Sequence, residues 1–319
     1  MRIYIAGAAG MVGSALTRRL ASSPEYEVIA PSREELDLTD RLAVFEFFGR
    51  EHIDCVFLAA ARVGGILANS QFPVDFLLQN LSIQTNVISA AHEFNVDRLV
   101  FFGSSCIYPK EVDQPIKENA LLSGKLELTN EPYAIAKISG IKLCESYNRQ
   151  FGRDFRSLMP TNLYGPGDNF HPDNSHVIPG MIQRFHTAKL AGDKEVTVWG
   201  TGKPRREFLH VDDLADAAIF IMEQSKQVYL EALGEDASHI NVGVGKDCAI
   251  KEIAEMVSEV VGFRGALIFD TSKPDGTYQK LLDTSKLSFM GWESSTALKD
   301  GLDSTYLWYK ENLRAVRSS

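Results

Sequence analysis

The stretch Arg2-Ile3-Tyr4-Ile5-Ala6-Gly7-Ala8-Ala9-Gly10-Met11-Val12-Gly13 decides how this chain is read. Residues 2–6 make a short apolar run with β-branched and aromatic members, the composition of a buried strand. Gly7, Gly10 and Gly13 follow at once, and Ala15, Leu16 and Leu20 then recur at helical spacing. Strand, glycine-rich turn and helix is the context in which such a turn holds a dinucleotide. Glycines let the backbone turn tightly and approach a pyrophosphate. The helix start adds unpaired N–H groups and a favourable dipole. The spacing is G-x-x-G-x-x-G, one residue wider between the first two glycines than G-x-G-x-x-G.

Outward from this turn, strand and helix patterns alternate. Residues 27–30, 54–59, 98–102 and 155–159 read as further strands, and residues 42–50, 76–94 and 133–152 as helices. Repeated β-α units predict an α/β fold, a Rossmann-type doubly wound parallel sheet with right-handed crossovers. Ligands bind beyond the strand C-termini in such sheets. Gly7, Arg33, Ala60, Ser104 and Pro160 all follow strand ends and are expected around one crevice. After Asn162 the chain turns loop-like, with Gly165, Pro166, Gly167 and Pro172, before a helix that ends near Ala191 and an alternating run at residues 195–199. Residues 205–213 are expected to return to the first lobe, with Asp212 or Asp213 capping an Ala-rich helix. A short strand at 266–269 lies in the mixed C-terminal part. The expected organisation is a dinucleotide-binding domain at 1–165, rejoined by 206–248. A smaller interleaved substrate lobe comes from 166–205 and 249–319.

Composition narrows the class. The 319 residues are 45% hydrophobic and 24% charged, ordinary for a globular chain long enough for two cores. A net charge of −9 argues against non-specific nucleic-acid binding. No apolar run is long enough to span a bilayer, so no membrane partner is expected. With a strand starting at residue 2, no secretion signal is expected either. Cys55, Cys106, Cys144 and Cys248 are scattered without a C-x-x-C pair, which argues against a metal site or a disulfide framework and fits a cytoplasmic location.

The chemistry is carried by Tyr133 and Lys137, four residues apart after Pro132. Proline suits a first helical turn, and residues at i and i+4 share a face. A neighbouring ammonium is expected to lower the phenol pKa from about 10. A phenol so placed protonates a carbonyl oxygen as hydride reaches carbon. Residues 101–108, Phe-Phe-Gly-Ser-Ser-Cys-Ile-Tyr, offer a hydroxyl at Ser104 to hold the same oxygen and an unusual thiol at Cys106. Ser32 and Arg33, at the end of the second strand, suggest NADP(H) rather than NAD(H), although Glu34 and Glu35 stand beside them. A diphosphate wants arginine or lysine.

The glycine turn, Gly103-Ser104-Ser105-Cys106-Ile107-Tyr108-Pro109-Lys110, Tyr133 to Lys137 and Pro160-Thr161-Asn162-Leu163-Tyr164-Gly165-Pro166 together resemble the extended short-chain dehydrogenase/reductases. Residues 61–66, Ser104 to Lys110 and Asn174-Ser175-His176-Val177-Ile178-Pro179 narrow the resemblance to members that act on GDP-4-keto-6-deoxy-D-mannose as 3,5-epimerase and 4-reductase, and it extends through Lys273-Pro274-Asp275-Gly276-Thr277. The resemblance covers nearly the whole chain. It implies Ser104, Cys106, Tyr133, Lys137 and His176 as catalytic residues, with Cys106 as base and His176 as acid. It implies a cofactor site from Gly7, Gly10, Met11, Val12, Gly13, Arg33, Leu38, Ala60, Phe102, Gly103, Lys137, Pro160, Asn162, Leu163 and His176. Arg184, Trp199, Arg206, Asp275 and Lys280 resemble contacts to the GDP-sugar. A homodimer through the 76–94 and 133–152 helices is implied as well. One departure is visible: relatives carry an Arg inside the glycine turn to hold the 2′-phosphate, where this chain has Ala9, leaving more of that work to Arg33. The readings open beside this one are another sugar-nucleotide 4-epimerase or reductase on the same fold, and a non-catalytic NADP-binding sensor. A 4,6-dehydratase is disfavoured by Ser105-Cys106, where Thr followed by Asp or Glu is the pattern.

Overall fold

A computed structural model describes residues 1–172, 175–273 and 275–313, with backbone alone at 66 and 67. Asn174, Pro274 and the side chain of Ile66, all part of the resemblance, lie outside the described residues. The first part of the chain runs β1 (Arg2–Ala6), α1 (Met11–Leu20), β2 (Glu27–Ile29), α2 (Arg41–Arg50), β3 (Cys55–Leu58), α3 (Ile66–Gln71), α4 (Pro73–Glu93), β4 (Arg98–Phe102), α5 (Glu131–Phe151), β5 (Asp154–Pro160) and β6 (Asn162–Tyr164). The remainder runs α6 (Val177–Ala191), β7 (Glu195–Trp199), β8 (Arg205–His210), α7 (Val211–Glu223), α8 (Lys226–Leu233), β9 (Ile240–Val242), β10 (Asp247–Ala249), α9 (Ile250–Val261), β11 (Ala266–Asp270), β12 (Gln279–Lys280), α10 (Ser285–Phe289) and α11 (Leu298–Glu311).

Among the described residues, the larger sheet is six-stranded and parallel, in the order β2-β1-β3-β4-β5-β9. Its central strands are buried on both faces, which explains their unbroken apolar runs. Tyr4, Val56, Leu99 and Phe101 face the helices α2, α4 and α5. Ile3, Ile5, Phe57, Val100 and Phe102 face α1 and α7. The strand order reverses between β1 and β3, and a ligand crevice opens at such a point. Asp40 caps α2 by accepting from Leu42 N–H at 2.9 Å and Ala43 N–H at 3.2 Å, a cap worth ~1 kcal/mol.

One expectation is refined here and one gives way. Residues 205–210 do not pair with the first sheet: β8 pairs with β6, β10 and β12 in a second, smaller sheet. Leu209 of β8 and Val211 nonetheless lie in the core under the first sheet, which the chain rejoins through α7, packed on α1, and through β9. Neither Asp212 nor Asp213 caps α7. His210 does, its Nδ1 accepting the Asp212 N–H at 3.3 Å. The aspartates are occupied elsewhere, Asp212 with Arg18 at 2.6 Å and Asp213 with Thr296 and Ser295.

The second lobe has its own core, built from Phe185 and Ile182 of α6, Val196 of β7, Val257 of α9 and Leu302 of α11. Glu207 of β8 is fully buried and binds the two lobes' connections together. Its carboxylate accepts from Val244 and Gly245 N–H at 2.7 Å and from Leu282 N–H at 3.0 Å. Among the described residues, no helix is long and apolar enough to cross a membrane.

Candidate active site

The glycine turn is shaped by close approach. Gly7 has φ +88°, and a Cβ there would lie 2.7 Å from the Ala60 backbone. A Cβ on Gly13 would overlap Gly7 O. Gly10 is different: it caps α1, its N–H reaches Gly7 O at 3.1 Å, and a Cβ would meet only that oxygen, at 3.4 Å. No side chain caps the first turn of α1, which starts Met11 and Val12, and no acid stands in it. This open, uncapped helix start fits the pyrophosphate of a dinucleotide.

Arg33 is exposed in the loop after β2. The acids beside it are engaged locally. Glu35 accepts from Ser32 N–H at 2.7 Å, and Asp37 accepts from Thr39 N–H and Oγ1. Leu38 packs on the core while its carbonyl accepts from Asn86 at 3.0 Å. Ala60, Phe102, Gly103 and Pro160 stand at the strand ends, and Leu163 lies on β6 beside Asn162, whose Nδ2 donates to Glu207 O at 2.8 Å.

The reaction centre forms where β4 meets α5. Ser104 opens a single 3₁₀ turn, Ser105–Ile107, and its Oγ accepts from Cys106 N–H at 3.4 Å. Cys106 is buried. On α5, Pro132 occupies the first turn and Lys137 lies on the buried face, 3% exposed. The Lys137 ammonium donates to Phe102 O at 2.7 Å and lies 5.7 Å from the Tyr133 ring centroid. Two features keep α5 close: a Cβ on Gly140 would overlap the Phe101 ring, and Gln84 of α4 donates to Ala136 O at 2.7 Å.

Burial governs the protonation states. It pulls Lys137 down to about 8, with the Cys106 thiolate partly opposing. It pushes the Cys106 thiol up, against the pull of Lys280, Ser104 and Lys137. The expected lowering of the Tyr133 pKa is not met. Burial, aided by Cys106, raises it, because desolvating a phenolate outweighs the ammonium over the ring. A phenol that stays protonated is the form that donates to a carbonyl oxygen.

The remaining predicted residues divide into two groups. Lys280 of β12 lies near enough to the thiol for each to influence the other's charge. Its register partner Arg206 donates to Thr277 O at 2.6 Å. Arg184 donates to Thr197 O at 2.8 Å and lies 5.9 Å from the Trp199 ring centroid. Trp199 is 64% exposed, and Asp275 accepts from Thr201 N–H and Oγ1 at 2.9 and 2.7 Å. These three therefore gather at the end of β7. His176 begins α6 with its side chain half exposed. Its pKa is raised by Asp168, a residue the sequence reading left unassigned in a Gly/Pro loop. Glu207 was also unassigned; its only signal was an acid inside an apolar strand pattern.

The profile of the NAD dependent epimerase/dehydratase family matches residues 3–243. The chain is 57% identical to GDP-L-fucose synthase of Escherichia coli K12, covering 98% of this chain and 97% of that one. A solved GDP-6-OMe-4-keto-L-xylo-heptose reductase from C. jejuni superposes with TM-score 0.91 at 40% identity, covering 98% of both chains. A GDP-L-fucose synthetase from Naegleria fowleri bound to NADP gives TM-score 0.88 at 28% identity over 99% of this chain and 96% of that one. With the glycine turn and the Ser104, Tyr133 and Lys137 constellation in place, this chain belongs to the NAD dependent epimerase/dehydratase family, among the extended short-chain dehydrogenase/reductases.

Proposed function

We propose that this chain converts GDP-4-keto-6-deoxy-D-mannose to GDP-L-fucose by 3,5-epimerisation and NADPH-dependent 4-reduction. The observation that carries the reading is a buried thiol inside the Ser-Tyr-Lys centre, with Lys137 and Lys280 both acting on it. Such a thiol is the base that epimerisation at C3 and C5 requires.

The C4 carbonyl acidifies the hydrogens at C3 and C5. Cys106 removes one as Ser104 and Tyr133 hold the C4 oxygen, whose enolate charge they stabilise. His176 returns a proton on the opposite face, and the centre inverts. Once Cys106 has released its proton to solvent and His176 has regained one, the second carbon follows the same course. When bound along Gly7, Gly10 and Gly13, NADPH supplies the hydride for C4. Tyr133, kept protonated by its surroundings, gives its proton to the C4 oxygen, and Lys137 orients the site from Phe102 O. Arg184 and Arg206 serve the diphosphate, Trp199 lies against the nucleotide, and Asp275 binds a ribose or base edge. Arg33 and Ser32 hold the 2′-phosphate.

The active form is a cytoplasmic homodimer paired through α4 and α5. Exposed Val74 and Leu78 of α4 and Ile135 of α5 support this face. Light scattering at micromolar concentration is expected to give twice the chain mass, and a monomer would remove the dimer. Recovery from the membrane or secreted fraction would remove the cytoplasmic assignment.

The TM-score of 0.91 with a heptose reductase favours a second reading, a GDP-sugar 4-reductase without epimerisation. One assay separates the two. The protein is mixed with the 4-keto sugar and NADPH in heavy water, and NADPH loss and deuterium at C3 and C5 are followed together. Both are expected. Reduction without deuterium would leave the second reading, and no NADPH oxidation would sink both.

A further inference from the structure

We propose that Asp168 is the positioning residue for His176. Its carboxylate takes the imidazole Nδ1–H, so that Nε2 carries the proton handed to the sugar carbon. This inference rests on the acid role proposed above for His176.

Asp168 ends a turn set by Gly165 (φ +149°) and Gly167 (φ +84°), and its N–H reaches Gly165 O at 3.3 Å. The turn buries the carboxylate, whose side chain is 4% exposed. Oδ1 accepts from Asn169 N–H at 2.7 Å and stands 4.0 Å from His176 Nδ1. Oδ2 is buried and, among the described residues, has no hydrogen-bond partner. A buried carboxylate oxygen without a donor is unfavourable, and such groups are normally satisfied. The donor at hand is the half-exposed imidazole. The 4.0 Å between Nδ1 and Oδ1 exceeds a hydrogen bond, so the His176 side chain must turn toward the carboxylate to donate to it.

The position of His176 makes the carboxylate necessary. As the residue that begins α6, it sits at the positive end of a helix dipole, which disfavours an imidazolium. Among the described residues, Asp168 is the charged group that acts on His176, and it favours the protonated ring. Each inversion needs Cys106 as thiolate while His176 is protonated. Burial raises the thiol, so little of this ionic form is present. Its population changes about tenfold for each unit by which the two pKa values approach or separate. Asp168 brings them closer. The proposed donation from Nδ1 also fixes which nitrogen carries the transferable proton.

The test uses the full chain with NADP(H) bound. The His176 ring signal, assigned by its loss in His176→Ala, is titrated by proton NMR in the parent, Asp168→Asn and Asp168→Glu. Deuterium exchange at C3 and C5 is measured alongside. In Asp168→Asn the His176 midpoint is expected to fall below the parental one and exchange to slow about tenfold, with the sugar KM unchanged. Asp168→Glu, which keeps the charge, is expected to retain the raised midpoint. The His176→Ala/Asp168→Asn double variant is expected to be no slower than His176→Ala. An unchanged midpoint in Asp168→Asn, or a double variant slower than His176→Ala, overturns the role of Asp168 alone. Parental exchange in His176→Ala overturns the acid assignment itself, and the role of Asp168 with it.

Discussion

Lys137 and His176 are cationic groups of one proposed reaction built in opposite ways. Lys137 is 3% exposed on a regular helix, held by a backbone carbonyl and pulled toward the neutral form by burial. His176 is half exposed at a helix start after an irregular loop, and a buried carboxylate pushes it toward the cation. The difference teaches where each half of the chemistry lives. Ser104, Tyr133 and Lys137 sit on the parallel sheet and its crossover helix, with nearby positions fixed by packing. His176 belongs to the lobe with its own core. Carbonyl chemistry is thus built into one rigid layer, whereas proton return at carbon depends on how a second layer meets it.

The strongest way to break this division is to disable each half separately. Tyr133→Phe is expected to slow reduction about 10³-fold, within the range for a general acid, while slowing C3 and C5 exchange less than about tenfold. Cys106→Ser should do the reverse, with exchange falling about 10²-fold or more. Equal losses in both reactions for both variants, in single-turnover assays, would mean that the halves are not separable.

Lys137→Met sharpens the contrast in burial. An ammonium whose pKa is about 8 in the fold and 10.5 outside it counts against folding, on the order of 3 kcal/mol. That cost is complete below about pH 8 and fades as pH rises toward 10.5, where the unfolded lysine also loses its proton. The variant loses reduction, yet it is expected to melt at or above the parental temperature at pH 7, with the gain shrinking by pH 10. The stranded Phe102 carbonyl offsets part of it. A clear drop in melting temperature at pH 7 would show that Lys137 stabilises the fold.

Arg33 is the exposed cation of the cofactor edge, and its effect is expected to be the smallest. Arg33→Ser should raise the KM for NADPH about tenfold, roughly one charge-assisted contact, and leave that for NADH within about twofold. Equal changes for both cofactors would separate Arg33 from the 2′-phosphate.

The first sheet was legible because its strands are apolar on both faces and its helices carry long periodic patterns. The second sheet was not. Asn162–Tyr164, Asp247–Ala249 and Gln279–Lys280 are two or three residues long and find partners only across the fold. The same brevity hid Ile240–Val242 at the edge of the main sheet. Tyr133 and Lys137 could be paired from helical spacing, but the direction of the phenol shift could not, since it depends on how deeply α5 is packed. Asp168 and His176 meet through a turn with no periodicity, so neither spacing nor residue type announced the contact.

Lys280, whose charge acts on the thiol, lies on a strand that pairs in register with Arg206, and Glu207 clamps Leu282 just beyond it. The residues that would grip the nucleotide and the cation that conditions the proposed base thus travel on one piece of scaffold. An engineer who transplants this lobe to change sugar preference would transplant part of the base's environment too. A recombinant that mixes lobes from two relatives should therefore be screened for both sugar preference and epimerisation.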